Sequence, residues 1–423
     1  MKLEKNDPIS YDMTKEEMEA EIQRYIKEKN KHIGEEWPLP IGKKWFGLKN
    51  ELITQDLIRN YCNCVGDLNP LFRDKVYATG TRWGGIIAPP MIIHYIAMVS
   101  GGLGIEPPSV KERGDRPRVH GVGGLNVGGT IEFFKPIRPG DEFHCVDKFL
   151  GTDDVTKKER PVPRLIRNRG QRKFINQRDE IVAIAAGIEL LMLPEEPLKK
   201  GEKRIKMGDA FPEEWGHYYT EDELAVIDKA MEDEEIRGDE PRYWEDVNEG
   251  DELKPVIKGP LTMTDIAAGM AFRGFLPAME VRRMVDKSDD VYSNIDPRTG
   301  DMFGEYRCHV EDALAQMYGE PGAFATGTMF LEWACHLLTN WMGDDGFLKR
   351  LDTRHRRMMP TGDTCWVKGK VAKKYLEGKD HFVDVMIEGT NWGGNTIFTG
   401  KAIILLPSRE QVHWIDFPDW RQI

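Results

Sequence analysis

Cysteine is scarce in this chain: six thiols in 423 residues, at Cys62, Cys64, Cys145, Cys308, Cys335 and Cys365. Most of them sit in apolar patterns. Buried free thiols in a reducing cytoplasm fit that usage better than a disulfide framework does. Cys62 and Cys64 are spaced too tightly for a zinc ribbon, and no metal is expected. Long apolar runs are missing as well. No run of about 18 apolar residues occurs, so no membrane span is expected. The segment 1–36 is highly charged and has none of the apolar stretch of a secretory signal, which makes a cytoplasmic location the expectation. Positive charge is in deficit, with 59 Lys and Arg against 71 Asp and Glu, a net charge of −12. A polyanionic partner needs a dominant basic face, so nucleic acid is not an expected partner. There is no Gly-x-Ser-x-Gly elbow, which disfavours serine hydrolase chemistry. Residues 121–126 are glycine-rich, but their spacing is neither that of a P-loop nor that of a dinucleotide fingerprint.

The length exceeds what one hydrophobic core usually supports, which predicts two domains. Ten acidic and two basic residues lie between Glu221 and Glu240. That composition predicts a solvated linker, so the domains are read as 1–200 and 248–423, joined by an acidic segment at 201–247. In the first domain, Thr14-Lys15-Glu16-Glu17 has the form of a capping box opening a charged helix. Residues 54–65 read as a second helix ending before Gly66. Pro89-Pro90 suits a helix start, where missing amides cost nothing. Met91 to Met98 is apolar nearly all round, so this helix should be buried. Strand-like segments follow at Thr130–Phe134, Glu142–Phe149, Lys173–Gln177 and Ile181–Met192. A buried helix followed by an antiparallel meander is an α+β pattern.

After the linker the order of elements repeats. Thr264-Asp265-Ile266 echoes Gln55-Asp56-Leu57, Gly362-Asp363 echoes Gly140-Asp141, and Leu406-Pro407 echoes Leu193-Pro194. The separations from 56 to 265, 141 to 363 and 194 to 407 are 209, 222 and 213 residues, which predicts an internal duplication with insertions. Residues 323–342 form a second long apolar helix. Phe330, Trp333, Ala334, Leu337, Leu338 and Trp341 share one face of it and read as core.

The chemistry-bearing residues lie in two short motifs. The first runs Gly66-Asp67-Leu68-Asn69-Pro70-Leu71-Phe72-Arg73-Asp74, followed by Ala78 and then Gly84-Gly85-Ile86-Ile87-Ala88-Pro89-Pro90. It resembles the signature of the MaoC-like dehydratases, the (R)-specific enoyl-CoA hydratase family, and in particular their FAS1-type N-terminal halves. The family's acid/base His stands at Phe72 here, and such N-terminal halves are regarded as non-catalytic. The second motif aligns His309, Glu311, Ala315, Gly319, Pro321 and Gly322 with the family pattern that follows its catalytic His. The Asp and Asn that should precede it fall on Gly304 and Tyr306, with Glu305 beside the vacant Asp position and Asp301 three residues before it.

The resemblance implies two hot-dog folds in one chain, each a central helix wrapped by a curved antiparallel sheet, paired as a pseudo-dimer. It implies an acyl-CoA hydratase or dehydratase, a hydro-lyase acting across the α,β bond of a CoA thioester. Coenzyme A enters as part of the substrate and no cofactor is implied; a homodimer or higher homo-oligomer is. The thioester carbonyl would meet the amino end of a central helix, where free amides stabilise developing negative charge. Pro321-Gly322-Ala323 is the matching segment, so Gly322 and Ala323 are the expected thioester contacts. His309 is the expected acid/base, with Glu305 or Glu311 as its carboxylate partner. Asp67 and Asn69 are catalytic candidates too. An Asp and an Asn before Pro also make Asx turns that hold their own loop. A composite site of Asp67 with His309 is disfavoured, because equivalent loops of a pseudo-two-fold pair lie on different sides of the sheet. The CoA phosphates need cations: Arg354, Arg356 and Arg357 are the candidates, with the basic stretch 157–173 as an alternative. The insertion at 274–303 could reshape the pocket for a branched, cyclic or aromatic acyl group. The competing readings are a non-catalytic acyl-CoA-binding subunit of a hydratase or aldolase complex and a thioesterase on the same fold.

Overall fold

The computed structural model describes residues 12–39, 48–98, 117–156, 164–199, 215–273, 294–295, 302–303, 305–317 and 320–410. The expectation about the insertion at 274–303 falls almost wholly outside the described residues. The capping box opens helix α1 (Lys15–Asn30): the Glu17 amide donates to Thr14 Oγ1, and Glu17 accepts from the Thr14 amide. Strand β1 (Glu36–Pro38) follows. Helix α2 (Gln55–Val65) is capped by Thr54 and ends at Gly66, whose φ of +73° suits glycine and turns the chain into the first motif. Two short helices, α3 (Pro70–Arg73) and α4 (Lys75–Gly80), carry the rest of that motif.

The apolar stretch after Pro89-Pro90 is buried, as its composition predicts, but it is shorter than expected. A 3-10 turn at Pro90–Ile92 leads into helix α5 (Ile93–Ile96), and Ala97 is already extended. The reason is local. The Ile96 carbonyl accepts from the Lys49 and Asn50 amides, and the Asn50 side chain donates to the Tyr95 carbonyl. Those carbonyls are satisfied from outside the helix, so no further turn is needed to satisfy them.

Strands β2 (Gly123–Phe133), β3 (Phe143–Asp154), β4 (Arg164–Asn176) and β5 (Ile181–Leu193) complete the first half. The second half has β6 (Glu252–Lys258), helix α7 (Met263–Phe272), a small β7–β8 pair (Asn294–Ile295 and Met302–Phe303) and helix α8 (Asp312–Met317). Its central helix α9 (Gly327–Met342) is followed by β9 (Phe347–His355), β10 (Cys365–Glu377), β11 (Asp380–Asn391) and β12 (Thr396–Leu405).

The ten large strands form one antiparallel sheet in the order β1-β3-β4-β5-β2-β9-β12-β11-β10-β6. Its right half repeats its left half from the centre outwards, with the seam between β2 and β9. The loops repeat too. The Ile53 amide donates to Asp141 O (2.9 Å) and the Ala88 amide to Ile137 O (2.7 Å). The same bonds recur from Leu261 to Asp363 (2.8 Å) and from Ala325 to Met359 (2.8 Å). Ala88 therefore corresponds to Ala325, and counting back along both loops sets Phe72 opposite His309 and Asp67 opposite Gly304. The fold is a double hot-dog, α+β, with the duplication read from the sequence. Helix α9 is buried along its length from Thr328 to Met342 and packs on β6, β9, β10 and β2.

Residues 215–247 pack on the second half rather than standing off as a solvated linker. A capping box starts helix α6 (Glu221–Glu232), which buries Ile227. The Arg237 amide donates to Asn340 O, and Trp244 donates to Pro407 O and Phe382 O. The acidic composition hides this because the docking runs through backbone groups and a few apolar side chains. The six cysteines are free thiols, five of them buried. Among the described residues no helix is long and apolar enough to cross a membrane.

Candidate active site at the amino end of the central helix

Helix α9 begins at Gly327, and no side chain caps its first turn. The Thr326 hydroxyl is bonded to the Thr328 hydroxyl (2.9 Å). Uncapped first-turn amides at the positive end of a buried 16-residue helix can bind a developing oxyanion. Gly327 is glycine for a packing reason: a Cβ there would lie 2.5 Å from Cε1 of His355. His355 ends β9, where its Nδ1–H donates to the Asn126 carbonyl (3.0 Å), which leaves Nε2 with its lone pair. That Nε2 is buried and has no hydrogen-bond partner among the described residues. Burial pulls the His355 pKa down to about 4, so the ring is neutral at physiological pH. Phe330 packs edge-on against it, with ring centroids 5.1 Å apart.

His309 supplies a second imidazole. It closes the 3-10 turn Glu305–His309, is half-buried, and rests edge-on against Phe324 at 4.5 Å. Its Nδ1–H donates to the Phe324 carbonyl (2.9 Å), three residues before the helix begins. A backbone carbonyl therefore fixes its tautomer, with the proton on Nδ1.

The other expected site residues are placed as follows. Glu311 is held by Arg307, whose Nε donates to its Oε1 at 2.7 Å. The backbone of Glu305 lies four residues before His309 in the same turn; its side chain, like Gly304 and Asp301, is outside the described residues. Gly322 and Ala323 are not the helix end. The Ala323 amide donates to Asp312 Oδ1 (2.7 Å), and the space beside Gly322 is filled by Trp215 and Asp312. The first amides of the helix belong instead to Gly327 and Thr328; the sequence hid this because the helix starts four residues later than its apolar pattern. Arg354 is bonded to Asp352 (2.9 Å) and Arg357 to the Thr396 carbonyl (3.2 Å), while Arg356 is exposed. In the alternative basic stretch, Arg164, Arg167 and Arg172 are paired with acids of α1 and β3.

Asp67 and Asn69 lie elsewhere. The Asn69 amide donates to Asp67 Oδ1 (2.9 Å) and the Leu71 amide to Asn69 Oδ1 (3.0 Å), two successive Asx turns that hold the loop. The imidazole nearest Asp67 is not His309 but His336 on α9, with Nε2 3.7 Å from Asp67 Oδ1 and 3.0 Å from Glu234 Oε1. Lys258 Nζ donates to His336 Nδ1 (2.7 Å) and to the Val65 carbonyl (2.6 Å). Burial pulls the Lys258 pKa down to about 8, against the pull of Glu234 and Asp67. One turn up the helix, Glu332 is bonded to Arg273 Nε (2.8 Å) and lies 3.2 Å from His94 Nδ1. Burial disfavours its charge, but Arg273 and His94 together hold its pKa below the usual carboxylate value. Glu332, His336 and Asn340 thus form a polar stripe with a spacing of four on a helix otherwise read as core. That spacing was the available sequence signal, and an apolar-face reading passes over it.

The comparisons with known proteins agree with this architecture. Residues 41–185 match the FAS1-like, dehydratase domain region model. A UPF0336 protein of Thermobifida fusca (strain YX) is 27% identical over 112 residues, covering 25% of this chain and 69% of that protein. A solved MaoC-like dehydratase superposes with a TM-score of 0.57 at 16% identity, covering 89% of this chain and 99% of the other. A MaoC domain protein assigned as a dehydratase from Chloroflexus aurantiacus J-10-fl gives a TM-score of 0.50 at 13% identity, covering 89% and 96%. Residues 41–185 are thus similar to a FAS1-like dehydratase domain region, and the chain as a whole shares the fold of the solved MaoC-like dehydratase. The aromatic Phe72 occupies the position that mirrors His309, so the two halves present different side chains at equivalent places.

Proposed function

We propose that the protein is an acyl-CoA hydratase/dehydratase whose reaction takes place in the second half, with His309 as acid/base. The observation that carries this reading is the His309 Nδ1–H bond to Phe324 O beside the uncapped amino end of α9. In the hydration direction, His309 Nε2 takes a proton from water as the water oxygen bonds to the β-carbon. The π electrons move through the α-carbon onto the thioester oxygen, where the Gly327 and Thr328 amides stabilise the charge. The imidazolium then returns its proton to the α-carbon, so atoms and charge balance. His355, neutral and next to Gly327, lines the same helix end as a hydrogen-bond acceptor. Asp67 and Asn69 hold the loop of the first half. Arg354, Arg356 and Arg357 flank His355 closely enough to meet the CoA phosphates, with Arg356 the readiest because it is exposed.

The test is a panel of enoyl-CoA and 3-hydroxyacyl-CoA thioesters, with the conjugated double bond followed by absorbance. His309→Gln should lower kcat by roughly a hundred- to ten-thousand-fold, whereas Asp67→Asn keeps the wild-type rate to within about tenfold. Full turnover in His309→Gln would sink the assignment. Tight binding with no turnover across the panel would favour an acyl-CoA-binding subunit, and release of free coenzyme A a thioesterase.

A further inference from the structure

Strand β2 belongs to the first half, yet it reaches the site assigned to the second. Leu125 packs on the small apolar cluster of Cys308, Ala315, Phe324 and Met358, which adjoins His309 through Phe324. The next residue, Asn126, is aimed by a β-bulge. Ile131 and Gly129 face the core and pair with Ala185 and Gly187 of β5. Strict alternation from there would turn Asn126 to the outer face, with Thr130 and Glu132. One extra residue of β2 stands between Asn126 and Gly129, so Asn126 pairs with buried Glu189 and faces inward. The Gly128 amide donates to Asn126 Oδ1 (2.9 Å), which settles the orientation of the carboxamide. The NH2 is then the end turned to the helix: Nδ2 lies 3.5 Å from where a Cβ on Gly327 would sit. It belongs to a half-buried side chain and has no hydrogen-bond partner among the described residues. The Gly327 nitrogen is about 2.5 Å from that same Cβ position, so the two nitrogens are at most about 6 Å apart. One oxygen accepting from both at about 3 Å spans that distance.

We propose that Asn126 is a catalytic residue for the reaction read at His309: its NH2 donates to the thioester oxygen beside the Gly327 amide, so the developing oxyanion is held by both halves of the chain. The proposal rests on that reading of the site. The carboxamide gives a hydrogen bond and keeps its protons. It is already oriented by the Gly128 amide, and its backbone is held by the His355 bond to the Asn126 carbonyl (3.0 Å). A donor fixed in advance needs little reorganisation as charge builds on the oxygen. The first half, with Phe72 where the second has His309, thus supplies a donor rather than a base.

Asn126→Asp tests it in the full chain. A carboxylate keeps the acceptor for the Gly128 amide, and so the bulge, but it puts an acceptor and a charge where the donor was. On the enoyl-CoA panel, kcat is expected to fall roughly a hundred- to a thousandfold with little change in Tm. If that variant does not fold, Asn126→Ser takes its place, because a hydroxyl also accepts from the amide two residues on but is too short to reach the thioester. A role confined to holding the bulge predicts a wild-type rate, and that result overturns the proposal; His309→Gln, inactive in the same assay, would then leave the reading at His309 standing without it. Should no thioester on the panel turn over, a bound saturated acyl-CoA with its thioester carbonyl labelled for NMR decides. Its carbonyl signal is expected further downfield on the wild type than on the variant. Coincident signals overturn the proposal alone, and no binding to the wild type overturns it together with the reading at His309.

Discussion

His355 shows how much a single side chain's meaning depends on its neighbours. In the sequence it is one member of a basic run, Arg354-His355-Arg356-Arg357. In the fold its ring is turned inward against Gly327, and burial makes it a neutral acceptor. The consequence for stability has a definite sign. The folded pKa, about 4, lies below the ordinary 6.5, so the unfolded chain binds a proton in that window and the folded chain does not. Stability is lost as pH falls from 6.5 towards 4, by about 1–3 kcal/mol. Urea unfolding of His355→Gln should lack this acid-side loss; equal slopes in both proteins would contradict the buried, neutral ring. Asp67 teaches the converse. Its motif reads as catalytic, yet its carboxylate holds a turn of its own loop and faces a histidine that the motif does not contain.

At the scale of one element, α9 carries both the proposed oxyanion site and the polar stripe that ties it to its surroundings. A methyl group at Gly327 would meet His355 at 2.5 Å. Gly327→Ala should therefore cost about a hundredfold in kcat by displacing the helix end from the thioester, with only a small change in Tm. A wild-type rate in that variant would remove Gly327 from the site. Five residues later in the buried helix, at Glu332, begins the stripe. Glu332→Gln leaves the Arg273 charge buried without its partner, and a loss of about 3–5 kcal/mol is expected in urea unfolding. A loss below about 1 kcal/mol would mean that water reaches Arg273. The strands of the sheet were legible because alternation survives in any sequence that buries one face. The stripe was not, because its partners Arg273, His94, Lys258 and Glu234 come from four other segments.

The whole molecule depends on the seam between the halves. Gly128 makes the closest approach there: with φ at +109°, a Cβ would lie 2.1 Å from the Thr353 carbonyl of β9. Gly128→Val should break the β2–β9 pairing and, since the Lys258–Val65 bond also crosses between halves, unfold both rather than one. Calorimetry of the wild type is expected to show a single transition, and the variant a large drop in Tm or insoluble protein. Two resolved transitions in the wild type would show that each half is stable alone.

The sequence by itself determined the duplication, the meander of each half and the motif that places Phe72 opposite His309. These are local patterns of turn, period and spacing, written wherever the chain must bend or bury one face. Tertiary structure alone decided where α9 begins, which carbonyl orients His309 and which histidine Asp67 meets. It also decided that the acidic segment docks on the second half. Each of these depends on groups far apart in the chain meeting in a buried place, and no local pattern records which groups will meet.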